Sequence, residues 1–363
     1  MNQETPRVFI AATRQNDGKT TTSLGLLAEI KKRYHRVGYI KPVGQRFVEI
    51  EENKIDEDTV LMDSVYHLDC PLIDMSPIAI EPDFTRRYLQ DANRGVLVDR
   101  MQAAFDRVAW QKEFVLCEGS GHAGVGSVFD LSNAQVAKEL GCKVVLVTRG
   151  GIGKPIDEVV LNKALFDRHG VEVIGVIINK VLPKKLDHIA EFARKGLARH
   201  GLELLGVLPH APTLSKPSIQ SLKQELNAEV LNQAGKLTNL VEDVVLGAMG
   251  ANNAVKYFKQ GMLLITPFDR EDIVYAAAAQ QDREQSHLAG LVLTGNREPS
   301  AALRRVIDRL PFPVLLTRHT SYQAASMVHD TIVKTQPADT EKIDLIRELI
   351  ARHVDVNRIL EAI

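Results

Sequence analysis

The chain has 363 residues, enough for two hydrophobic cores of ordinary size. Lys plus Arg (45) balance Asp plus Glu (46) to a formal net charge of −1, without the basic excess of a nucleic-acid binder. Apolar runs such as residues 173–178 fall far short of the roughly 18 residues a membrane span needs, and residues 1–7 are too polar to open a signal peptide. The expected setting is the cytoplasm, with no membrane or nucleic-acid partner.

In chain order, residues 7–12 read as a β-branched, apolar strand, followed by a helix whose inner face carries Leu24, Leu27 and Ala28. Further strands are expected at 37–40, 114–117, 144–148, 173–178 and 204–207. Their nearly continuous apolar character suits strands covered by helices on both faces. Alternating β and α segments predict a doubly wound, mostly parallel α/β domain over residues 1–214. The proline-containing stretch 211–218 reads as a linker. A smaller α/β domain is expected over 215–335, with strands at 262–266, 290–294 and 314–317 and helices near 272–281 and 300–309. Residues 336–363 read as an amphipathic helical tail. The three cysteines, Cys70, Cys117 and Cys142, have neither CxxC nor metal-ligand spacing, so neither a disulfide framework nor a thiolate metal site is expected.

The sharpest motif is Ala12-Thr13-Arg14-Gln15-Asn16-Asp17-Gly18-Lys19-Thr20, set between the first strand and the first helix. In that context Gly18 lets the backbone approach phosphate, the amides and Lys19 hold it, and the Thr20 hydroxyl reaches Mg²⁺. The first glycine of the strict GxxxxGK[ST] pattern is replaced by Thr13. A second segment, Val115-Leu116-Cys117-Glu118-Gly119-Ser120-Gly121, ends an apolar strand in an acid and a glycine-rich turn. Glu118 there is either a Mg²⁺ ligand beside the phosphate loop or an ordinary strand-ending carboxylate; the loop beside it favours the metal role.

With those residues in place, residues 6–214 resemble the dethiobiotin synthetase family of P-loop NTPases, including the synthetase-like module of long phosphotransacetylases. Ala12 stands where the family's loop begins with glycine. Tyr39-Ile40-Lys41-Pro42-Val43 resembles its KPV segment, which makes Lys41 a phosphate- and substrate-contacting lysine. Asp58 falls where the family has a second Mg²⁺-binding acid, with Asp56 and Glu57 close enough to confuse the assignment. Glu118-Gly119-Ser120-Gly121 resembles EGAG. Asn179, in Gly175-Val176-Ile177-Ile178-Asn179-Lys180, matches the adenine-reading asparagine, and Leu204 to Pro209 resembles the segment lining the base. Gln45 and His122 depart from the family on the substrate side. The resemblance thus implies ATP and Mg²⁺ as cofactors. Lys19 and Lys41 would be catalytic, Asn16, Asp17, Gly18, Lys19, Thr20, Thr21, Glu118, Gly119, Asn179 and Pro209 would bind nucleotide, and Thr20, Asp58 and Glu118 would bind metal. A homodimer is also implied. Arg14 sits where ParA- and MinD-like ATPases carry a lysine reaching the partner's nucleotide, although a solvated loop arginine fits as well.

Residues 215–335 resemble the DRTGG domain, through Gly247-Ala248-Met249, the segment 264–273 and Gly290 to Gly295. Thr266, Asp269 and Arg270, at a strand's C-terminal end, are a candidate ligand site; helix capping by Asp269 or Asp272 explains the acids equally well. Two functional readings follow. One is ligase-type, ATP-dependent phosphoryl transfer to a small carboxylate or carbamate, favoured by the phosphate and Mg²⁺ motifs. The other is a regulatory module sensing nucleotide and a metabolite, favoured by the two-domain layout and the substrate-side departures. The first is preferred. No acetyltransferase domain follows in these residues, and no cysteine beyond Cys142 offers a glutaminase nucleophile. The chain by itself is therefore expected to be neither an acetyltransferase nor a glutamine amidotransferase.

Overall fold

In the computed structural model, which describes residues 1–232, 236–280, 288–295, 297–331 and 333–363, the chain divides into two compact units, residues 1–210 with 340–363 and residues 211–339. The first unit is built on six parallel strands: β1 (Arg7–Ala12), β2 (Val37–Ile40), β3 (Phe114–Glu118), β4 (Lys143–Arg149), β5 (Val173–Val181) and β6 (Leu204–Pro209). Their order is β6-β5-β4-β1-β3-β2. β1, β2 and β3 are buried along their whole length, which requires cover on both faces and accounts for their largely apolar sequences. The fold class is the one the sequence predicts.

The order places a reversal at β1 and β4. From β1 the chain goes out to β2 and returns to β3, and from β4 it leaves the other way, to β5 and β6. The crevice beyond the C-terminal ends of strands at such a point is where open α/β sheets take their ligands. Two segments converge there. Helix α1 (Lys19–Ile30) starts within one loop of β1, and an antiparallel pair, Phe47–Ile50 with Asn53–Asp56, leads into α2 (Glu57–Tyr66). Asp56 caps α2, its side chain accepting from the Asp58 amide at 2.9 Å.

The tail helices α5 (Thr340–His353) and α6 (Val356–Glu361) belong to this first unit. α5 lies against α1 so closely that a Cβ on Gly25 would stand 2.2 Å from Ile350 Cγ1. Beyond it the chain reaches β6, with Asp355 N donating to Leu205 O at 2.8 Å. Ile343, Ile346 and Ile350 are the helix's buried apolar stripe.

The second unit is a five-stranded sheet of β7 (Glu229–Val230), β8 (Asp243–Leu246), β9 (Met262–Pro267), β10 (Gly290–Thr294) and β11 (Val314–Thr317), ordered β7-β11-β10-β9-β8. Among the described strands of this sheet the β7–β11 pairing is antiparallel and the others are parallel. Alternate residues feed two cores: Leu264, Leu291 and Leu293 pack with Ile273 and Leu303, whereas Leu263, Ile265, Val292 and Leu315 pack with Ile219 and Ala324. The helix expected near 272–281 is α3 (Glu271–Gln280), and residue 281 lies outside the described residues. The helix expected at 300–309 is α4 (Ala301–Ile307), capped by Ser300, which accepts from Leu303 N at 3.2 Å. Among the described residues no helix is long and apolar enough to cross a membrane.

Candidate functional site

The loop between β1 and α1 is fixed from below and from the side before any ligand is considered. Thr13 N donates to Val147 O at 2.9 Å, and its hydroxyl bonds Asp17 Oδ2 at 2.9 Å, tying the loop across β4. Asn162 Nδ2 donates to Thr13 O at 3.3 Å, Asn179 Nδ2 to Asp17 O at 2.9 Å and Lys180 Nζ to Asn16 O at 2.9 Å. Asn179 therefore braces the loop backbone. Gly18 has φ 107°, and an added Cβ would stand 2.0 Å from Asn179 Nδ2, so both dihedral and space require glycine here. Asn16 also has positive φ, at 64°.

Lys19 is the first residue of α1 and is almost fully buried; burial is the main influence that pulls its ammonium below the ordinary lysine range. A cation so placed has lost much of its hydration and gains most from an anion that enters beside it. At the next position Thr20 Oγ1 donates to Glu118 Oε1 at 2.9 Å; Thr20 and Thr21 are both half-buried. Glu118 ends β3 with no exposure at all; its other oxygen accepts from the Tyr39 hydroxyl at 3.1 Å. Burial raises the Glu118 carboxyl above the usual range, partly offset by Lys41. Gly119 follows with no room for a side chain, since a Cβ would lie 2.6 Å from Asn133 Oδ1 and 2.7 Å from Phe9 Cε1. Asn133 holds the turn: it accepts from Ser120 N at 3.0 Å and donates to Ser120 O and His122 O, each at 2.6 Å.

The third component is Lys41, just beyond β2, with its amide donating to Met75 O at 2.8 Å. Its ammonium is buried between carboxylates: it pairs with Asp58, lies 3.0 Å from Asp56 Oδ1 and 4.0 Å from Glu118 Oε1. Burial alone would depress its pKa; the charges of Asp58, Asp56 and Glu118 outweigh that and raise it. Of the three neighbouring acids Asp56, Glu57 and Asp58, both aspartates face Lys41. The structure thereby brings Lys19, Thr20, Lys41, Asp58 and Glu118 into one buried cluster. Asp56, named in the sequence only as a competitor for the Asp58 assignment, joins them. Tyr39, which donates to Glu118, and the bracing Asn133 and Asn162 were not singled out by sequence reading.

Other predicted residues lie further out. Pro209 is half-buried at the end of β6, paired with Val181, and His122 and Gln45 are exposed. Arg14 is exposed and ion-paired with Glu158, and both line a cavity of about 400 Å³ with Arg149, Lys154 and Pro155. In the second unit, Thr266 is buried and donates to Gly247 O at 3.3 Å, while Asp269 is exposed. The Arg270 guanidinium is fully engaged: it pairs doubly with Asp272 at 2.8 and 3.0 Å and donates to Met249 O at 2.7 Å. Arg270 and Asp272 thus clamp the Gly247–Met249 backbone together.

Comparison with known proteins bears on both units. Residues 6–218 match the AAA domain family, and residues 221–331 match the DRTGG domain. The phosphate acetyltransferase of Nitratidesulfovibrio vulgaris is 28% identical over 360 residues, covering 96% of this chain and 50% of that protein. That of Synechocystis sp. is 28% identical over 367 residues, covering 98% and 51%, and that of Pseudomonas aeruginosa 27% over 364 residues, covering 96% and 50%. The chain spans about half the length of the curated relatives it matches. Its two-domain order is that of the N-terminal half of long phosphotransacetylases.

Among solved structures, the Pyrococcus horikoshii septum site-determining protein MinD, complexed with Mg-ADP, matches at TM-score 0.36 with 14% identity, covering 58% of this chain and 83% of that one. The CBS and DRTGG domains of a Clostridium perfringens pyrophosphatase regulatory region, complexed with diadenosine tetraphosphate, match at TM-score 0.29 with 20% identity, covering 38% and 61%. Scores this low carry no argument about function.

The relatives correct one expectation. Acetyl transfer was set aside in favour of a ligase or ATPase class because no acetyltransferase domain follows in these residues. Relatives matched along 96–98% of the chain bear the name phosphate acetyltransferase, so that exclusion does not stand.

Proposed function

Because the chain belongs to the AAA domain family through residues 6–218 and continues into a DRTGG domain, we propose that it is the Mg-ATP-binding and metabolite-responsive part of a phosphate acetyltransferase-type protein. One observation carries this reading. The Gly18-Lys19-Thr20 helix start lies against Glu118, with the Thr20 hydroxyl 2.9 Å from its carboxylate. Amides at a helix N-terminus and a desolvated ammonium attract phosphate; a hydroxyl and a carboxylate beside them are hard oxygen donors of the kind Mg²⁺ takes. The donor set fits Mg²⁺, with Thr20, Glu118 and Asp58 as the residues that would hold it, and the bound metal would neutralise phosphate charge. Asn16, Asp17, Gly18 and Thr21 would supply loop and first-turn contacts, and Asn179 and Pro209 would border the base. The family resemblance also supports a homodimer.

The regulatory sense of this proposal rests on the second unit and the relatives. A nucleotide site and a DRTGG domain that together account for half of a phosphate acetyltransferase are placed to adjust acetyl transfer, with the metabolite as effector. The direct test is calorimetric titration of Mg-ATP into the protein. Saturable heat is expected, and Lys19→Ala, which removes the buried ammonium, should abolish it. Heats of dilution alone from the wild-type protein would sink the reading. ADP formation that accelerates with a small carboxylate would move the weight from regulation to turnover.

A further inference from the structure

The cluster around Lys41 poses a charge problem of its own. Asp56, Asp58 and Glu118 are 1%, 5% and 0% exposed, and the ammonium of Lys41 stands among all three. Carboxylates this deeply buried need a counter-cation. Two of the three, Asp58 and Glu118, are the residues just proposed to hold Mg²⁺. In this structure the carboxylates are arranged around an ammonium.

We propose that Lys41 is a resident counter-cation, whose ammonium keeps a free divalent cation out of the Asp58–Glu118 pair until a nucleoside triphosphate enters beside it. This inference rests on the nucleotide reading of the same site and deepens it. Two cations cannot share so small a buried space at low cost, because their repulsion there is poorly screened. Triphosphate charge arriving over Gly18 and Lys19 gives the Lys41 ammonium a second anion to pair with. Asp58 and Glu118 are then released to a divalent cation, while Asp56, 3.0 Å from the ammonium and fixed as the cap of α2, retains Lys41. Metal entry is thereby made conditional on nucleotide, a coupling that must run in both directions. It also gives the two aspartates different tasks: Asp56 anchors the lysine, and Asp58 exchanges partners.

The test measures binding of Mn²⁺ alone, without nucleotide, to the intact protein by calorimetry. The wild-type protein should bind it weakly. Lys41→Met should gain affinity by about tenfold or more, because the charge that opposed the metal is gone. Lys41→Arg should stay weak, since it keeps the cation. Lys41→Met leaves the carboxylates without their partner and could fail to fold. The double variant Lys41→Met, Asp56→Asn removes one charge of each sign, keeps the Asp58–Glu118 pair and should show the same gain. Adding Asp58→Asn to either variant should erase it. Equal Mn²⁺ affinity in the wild-type protein and the double variant overturns the inference, as does a gain in Lys41→Arg. Titration of Mg-ATP into the wild-type protein, run in parallel, reports on the nucleotide reading separately, since neither Mn²⁺ result requires or replaces it.

Discussion

Gly18 shows how a single residue carries the geometry of the phosphate loop. Its φ of 107° lies in the left-handed region, and the Asn179 amide fills the space a methyl group would need. Alanine there meets both a dihedral penalty and a collision that displaces Asn179 from Asp17 O. Gly18→Ala is expected to lower stability by about 2 kcal/mol and to weaken Mg-ATP binding. Gly170→Ala is the control, because φ is also positive there, at 69°, but nothing lies within 4 Å. Urea unfolding of both variants should show the larger loss at Gly18; equal losses would mean that the Asn179 contact contributes nothing. Cysteine chemistry belongs to the same scale. Burial and the nearby Asp74 charge push the Cys70 thiol up to about 11, and burial pushes Cys117 well above its ordinary value. The thiolate is the reactive form, so iodoacetamide labelling of Cys70 in the folded protein should be slow at neutral pH and rise as pH climbs toward about 11. A flat rate above pH 8 would contradict this.

At the level of elements, legibility followed burial. β1, β2, β10 and β11 are fully or almost fully covered, and their apolar runs predict their bounds to the residue. β8 (Asp243–Leu246) was invisible, because it is an exposed edge strand opening on an aspartate, with no apolar alternation for a core to impose. The antiparallel pair leading to Asp56 was missed for the same reason: Phe47–Ile50 is only half covered, and the turn uses Glu51 and Glu52 at positive φ in place of glycine. Lys19, Thr20, Lys41, Asp58 and Glu118 were all legible in the site. Their mutual pairing was not, since nothing in the spacing of Lys41, Asp56 and Asp58 says that one ammonium satisfies both aspartates. Helix packing carries the element-scale prediction. Gly25 on α1 packs directly on α5, so Gly25→Ala drives a methyl group into Ile350 and should cost about 1–3 kcal/mol of stability, read from the urea midpoint. In an Ile350→Ala background, which lacks the Cγ1 that the new methyl group meets, Gly25→Ala should cost less. An undiminished cost would place the strain elsewhere.

At the scale of the whole molecule, the first unit is discontinuous in sequence. A cut at residue 214, where sequence composition changes, leaves out 24 residues that the fold returns to it, Thr340–Ile363. The alternation of strands and helices makes the β-sheet legible, but the docking of a terminal amphipathic helix onto a partner more than 300 residues earlier leaves only its apolar stripe as a trace. That stripe has a measurable weight. Ile343, Ile346 and Ile350 are buried at 4%, 0% and 0% exposure, and loss of one such side chain typically costs about 2–5 kcal/mol. A domain's total stability is commonly about 5–15 kcal/mol, so removal of the whole helix should consume much of what the first unit has. A chain ending at residue 339 should therefore lose the nucleotide unit's cooperative urea transition or shift its midpoint sharply downward. The residues of the phosphate loop would be untouched by the deletion, yet Mg-ATP binding should fall with the fold. Retention of both the midpoint and the calorimetric Mg-ATP signal would show that the first unit stands without α5 and α6, and that the packing of Gly25 on Ile350 is dispensable.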